Sequence, residues 1–84
     1  MNYTIATTKD LATDQVLDFG KDGQYYTIGL YDSNGNGTTI NILNHNQAES
    51  IYLKLASYII NGYYNYDYRL QVLKNYEVLS DTEN

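Results

Sequence analysis

Gln47 to Gly62, read as QAESIYLKLASYIING, is the stretch that decides the fold. Ala48, Ile51, Tyr52, Leu55, Tyr58 and Ile59 fall at the i, i+3, i+4, i+7 spacing that gathers one apolar stripe on a helix of 3.6 residues per turn. Leu53, Ala56 and Ile60 widen the stripe, which predicts a helix covered on more than one side. Asn46 stands where an N-cap belongs, and Glu49 three residues later completes an Asn variant of the capping box. Asn61-Gly62 supplies the left-handed residue that ends many helices.

Upstream of the helix, the pattern changes to period two. In Tyr25 to Asp32, Tyr26, Ile28 and Leu30 point to one face and Tyr25, Thr27, Gly29 and Tyr31 to the other. Ser33-Asn34-Gly35-Asn36-Gly37 reads as a hairpin connection, because Asn-Gly pairs supply positive φ angles. Thr38 to Leu43 returns with Ile40 and Ile42 on one face. Val16 to Phe19, ending at the turn Gly20-Lys21-Asp22-Gly23, is the third strand. Tyr3 to Thr7 has a weaker alternation, and Lys9 to Asp14 allows a helical turn capped by Thr8. A second helix is predicted from about Tyr66 to Val78, with Leu70 and Leu73 in its stripe and Arg69, Lys74 and Asn75 outside. The expected fold is α+β, a three-stranded antiparallel β-meander packed against two C-terminal α-helices. Residues 1–84 form a single small domain in this reading, with 80–84 a frayed tail.

Composition narrows the function classes. Ten Asp/Glu against five Lys/Arg set a formal charge of −5, which argues against direct nucleic-acid binding and suits a basic partner, or nothing more than solubility. Without cysteine and with one histidine, His45, the chain offers neither a thiolate metal shell nor a nucleophile–base pair. No enzyme activity, metal or cofactor is expected. Asp32-Ser33-Asn34-Gly35-Asn36-Gly37 imitates the start of a calcium loop, but Leu43 occupies its closing acidic position and strands flank it, so it reads as a hairpin. No apolar run is long enough to span a membrane and no secretory signal is visible, so a cytoplasmic location is expected. Eleven tyrosines with one Phe and no Trp point to rings that roof a small core, or to a contact surface. Asp10, Asp14, Asp18 and Asp22 recur every four residues. They are either solvated acids of turns and strand edges, or a carboxylate ladder that on a helix would space charges about 6 Å apart, as phosphates are spaced.

At Asn34-Gly35, Glu49-Ser50-Ile51 and Asn61-Gly62-Tyr63, the chain resembles the small type II-A anti-CRISPR proteins. The resemblance runs from about Ile28 to Leu79. It implies an antiparallel sheet with an Asx-Gly hairpin, followed by two helices joined at an Asn-Gly-aromatic turn. It also implies a phage inhibitor acting in the bacterial host cell, bound to a type II CRISPR effector nuclease with its guide RNA. As a DNA mimic it would block target DNA binding by occupying the groove that reads the protospacer-adjacent duplex. The hairpin and the inter-helix connector become the partner-binding surface, with Asp32, Asn34 and Asp67 as polar contacts. The family's hairpin tip and connector are strongly acidic, whereas here Asn34 to Gly37 is neutral and tyrosines fill the connector. Tyr63, Tyr64, Tyr66 and Tyr68 are therefore the expected anchors. The alternative is a small phage or bacterial interaction module, self-associating or with an unrelated protein partner.

Overall fold

The computed structural model describes residues 2–62 and 69–75. The fold is α+β, built on an antiparallel sheet in the order β1-β2-β3-β4. The strands are β1 (Asn2–Lys9), β2 (Val16–Asp22), β3 (Tyr25–Tyr31) and β4 (Gly37–Ile42), and helix α1 (His45–Ile60) follows. Residues 69–75 are also helical. The sheet thus has four strands where three were expected. Asn2–Lys9, which alternates weakly, pairs along its length with β2, from Asn2 opposite Asp22 to Lys9 opposite Val16. A register shift between Thr4 and Ala6 explains the weak pattern. The extra residue at Ile5 turns Thr4 outward, opposite Gly20, and Ala6 inward, opposite Phe19, so strict alternation fails across it.

The inner face of the sheet carries Leu17, Phe19, Ile28, Leu30, Ile40 and Ile42, all buried. Against it α1 packs Ala48, Ile51, Tyr52, Leu55, Ala56 and Ile59. Burial of side chains of this size stabilises by ~1.5–3 kcal/mol each. Tyr52 keeps its hydroxyl satisfied at 2.6 Å from Thr8 Oγ1 and stacks its ring on Phe19, centroids 5.4 Å apart. Leu53 and Ile60 were expected to be covered, but they lie 57% and 76% exposed. Ala56 alone of those three joins the core.

Both ends of α1 have local chemistry, and one differs from expectation. The N-cap is Asn44, not Asn46: its extended backbone leads into the helix and its side chain accepts from Gln47 N at 2.8 Å. Starting at His45 moves Glu49 into the second turn, where it meets His45 Nε2 at 3.5 Å instead of closing a capping box. At the other end, Gly62 adopts φ +80° and donates to Ile59 O, as the Asn-Gly signal predicts. Within 69–75, Leu73 is buried and Lys74 and Asn75 are exposed, but Arg69 is fully buried instead of outside. The remainder of the predicted second helix and the tail at 80–84 lie outside the described residues.

Candidate functional site

The same alternation that buries the isoleucines sends Asp18, Gly20 and Asp22 of β2 to the opposite, outer face of the sheet, beside Thr27, Gly29 and Tyr31 of β3. Two glycines there are diagonal neighbours, since Gly20 opposes Thr27 and Gly29 opposes Asp18. Around them lies a shallow hollow of about 360 Å³. The space directly over each glycine is already filled. A Cβ on Gly20 would come within 2.8 Å of Tyr3 O, and one on Gly29 within 2.6 Å of the Tyr31 hydroxyl. Tyr31 lies across Gly29 and its hydroxyl bonds Thr39 Oγ1 of β4 at 2.6 Å. Asn41 of β4 and Asn2 and Thr4 of β1 complete a rim of hydroxyl, amide and carboxylate groups.

This surface is acidic. Asp18 accepts from Thr7 Oγ1 at 2.8 Å across the β1–β2 ladder. Among the described residues neither Asp18 nor Asp22 has a cation at ion-pairing distance. Lys21, between them in sequence, points to the other face. There its Nζ donates to the Tyr26 hydroxyl at 3.2 Å and sits 4.3 Å above the Tyr26 ring, which in turn stacks on His45. His45 is thus a packing partner beside the core entrance. The outer hollow can accept cationic or hydrogen-bond-donating groups.

The four regularly spaced aspartates do not form a helical ladder. Turn and strand geometry separates them. Asp10 closes the β1–β2 turn, where Oδ1 accepts from Ala12 N at 2.9 Å and Oδ2 from Thr13 Oγ1 at 2.8 Å. Asp10, not Thr8, therefore organises that turn, and it is buried instead of solvated. Asp14 is exposed at φ 59° and lies 3.6 Å from Lys9 Nζ. Asp18 and Asp22 share the outer face, but four residues along a strand set them ~13 Å apart. They also stand on an interior strand, not on an edge.

Asp32 and Asn34 occupy the β3–β4 hairpin. Asp32 Oδ1 accepts from the backbone N–H groups of Asn34 and Asn36, both at 2.9 Å, so this carboxylate shapes the loop from within. Asn34 is exposed at the tip. Tyr63, Tyr64, Tyr66, Asp67 and Tyr68 lie outside the described residues. Arg69 was missed by the sequence reading as a buried group. Among the described residues its three guanidinium nitrogens have no hydrogen-bond partner, and burial lowers its pKa while the charge of Asp10 raises it. A signal existed, since Arg69 stands four residues before the buried Leu73 and so shares its helical face.

The fold and this surface define a class: a small α+β protein with a helix on one face of an antiparallel sheet and a polar, acidic hollow on the other. No family model, curated protein or solved structure matches the chain.

Proposed function

We propose that this protein is a binding inhibitor, not an enzyme, and that it acts in the bacterial cytoplasm on a type II CRISPR effector nuclease loaded with guide RNA. It lays acidic groups on the cationic groove that holds target DNA and so competes with the duplex, as a partial DNA mimic. One observation carries the reading: the outer sheet face is left free by α1 and presents Asp18 and Asp22 without paired cations among the described residues. A formal charge of −5 supports steering toward such a groove. The hairpin residues Asp32 and Asn34, with Tyr63, Tyr64, Tyr66, Asp67 and Tyr68, extend the contact as the anti-CRISPR resemblance implies. A second reading is an interaction module for an unrelated protein. The exposed Leu53 and Ile60, one helical face of α1, favour it.

The test is capture of guide-loaded type II nuclease by the purified protein at low and at high salt, scored together with target-DNA binding. Capture that weakens with salt and blocks target DNA supports the mimic. Salt-insensitive capture moves the contact to the tyrosines, and no capture by several orthologues overturns the proposal in favour of the second reading.

A further inference from the structure

Asn-Gly occurs three times, at Asn34-Gly35, Asn36-Gly37 and Asn61-Gly62. This dipeptide can close on itself, because a glycine without Cβ lets its backbone nitrogen approach the preceding side-chain amide. The direction of that nitrogen's N–H decides whether it is available. Gly35 N donates to Asp32 O at 3.0 Å, and Gly62 N donates to Ile59 O at 3.2 Å. Gly37 is placed differently. Asp32 N donates to Asn36 O at 2.8 Å, so the next pair of the ladder, Tyr31 and Gly37, is one that exchanges no backbone bonds. The Gly37 N–H therefore points away from β3, to the outer side of β4, where no described strand lies. Asn36 and Gly37 are both exposed, so water reaches them.

We propose that Asn36 is a site of spontaneous modification, deamidating through a cyclic imide, while the hydrogen bonds of Gly35 and Gly62 hold back Asn34 and Asn61. The Gly37 nitrogen, having lost its proton to hydroxide, attacks Cγ of Asn36. The new N–Cγ bond closes a five-membered succinimide, the Cγ–Nδ2 bond breaks, and Nδ2 takes a proton from solvent and leaves as ammonia. Water then adds to either imide carbonyl and opens the ring to aspartate or isoaspartate. One side-chain amide and one water become one carboxylic acid and one ammonia, with no enzyme, metal or oxidant involved. The product ionises and puts a carboxylate on the hairpin, where Ser33 to Gly37 is otherwise neutral. The isoaspartate form also reroutes the main chain through Cβ. The carbonyl that accepts from Asp32 N then becomes part of a free carboxylate, which loosens the start of the β3–β4 ladder.

The test is ageing of the purified wild-type protein in mildly alkaline buffer, both folded and in urea, followed by peptide mass mapping with fragmentation that separates Asn34 from Asn36. In the folded protein the gain of one mass unit is expected first at Asn36. Asn34 and Asn61 should lag by about two- to tenfold, the weight of one retained hydrogen bond. In urea the three rates should converge, because Gly35 and Gly62 lose their acceptors. Asn36→Gln, whose longer side chain would have to close a six-membered ring, is expected to remove the fast phase, and Asn34→Gln to leave it. Folded protein in which Asn34 or Asn61 reacts as fast as Asn36 overturns the proposal. So does an order of rates that persists unchanged in urea, or a folded chain that stays unmodified at Asn36 while the unfolded chain reacts. The nuclease is absent from this experiment, so either result leaves the capture test independent.

Discussion

Asp10 and Arg69 are the residues whose chemistry is most constrained by their surroundings. A fully buried guanidinium whose nitrogens lack hydrogen-bond partners among the described residues is costly, and Asp10 is a charge that favours its ionised form. Asp10→Asn retains an acceptor for Ala12 N and lets the Thr13 hydroxyl reorient, so it removes charge while sparing the turn. It is expected to cost on the order of 1 kcal/mol, read as a lowered urea midpoint with little change in slope. A midpoint within experimental error of wild type would show that the two groups are not coupled. Gly37 is constrained differently. A Cβ there would collide with the Leu30 carbonyl oxygen and lie 2.7 Å from Tyr31 Cα, both rigid backbone. Gly37→Ala is expected to destabilise by ~3 kcal/mol through displacement of β4, whereas Gly29→Ala meets only the movable Tyr31 ring and costs less. Thermal unfolding of the pair would show this order, and equal losses would contradict it.

At the scale of elements, α1 illustrates what local pattern specifies. Its buried face of Ala48, Ile51, Tyr52, Leu55 and Ile59 follows directly from spacing, and so does its glycine terminus. Its start does not, because Asn44 and Asn46 are both competent caps and the choice depends on how the chain leaves β4. Asn44→Ala is therefore expected to cost ~1 kcal/mol and Asn46→Ala almost nothing, by chemical denaturation. The reverse order would place the helix start two residues later. Strands were legible where alternation was unbroken, as in β3. In β1 the bulge scrambled the inward and outward positions, and only pairing with β2 reveals that Ala6 and Thr8 face the core.

The whole molecule has two unlike faces, a helix-covered apolar side and an acidic outer side. If the outer side carries binding, Asp18→Asn with Asp22→Asn should weaken nuclease capture about tenfold at low salt, at up to ~1 kcal/mol per exposed pair, and much less at high salt. The fold itself should be unaffected, because Asn at position 18 keeps an oxygen that can accept from Thr7 Oγ1 and Asp22 is exposed. Undiminished capture by the double variant would remove this face from the interface and leave the hairpin and the exposed helix residues Leu53 and Ile60 as the contact.

By itself the sequence determined the α+β class, the inner face of β3 and β4, the Asn-Gly turns and the buried stripe of α1. These are properties of short windows, where period and turn chemistry are complete within a few residues. Tertiary structure alone decided the rest. It admitted β1 as a fourth strand, since a strand exists only through hydrogen bonds to a neighbour. It drew Arg69 into the interior with Asp10, because the counter-charge comes from the far end of the chain. It also made the outer hollow, because residues of all four strands line it and they meet only when the strands align in register.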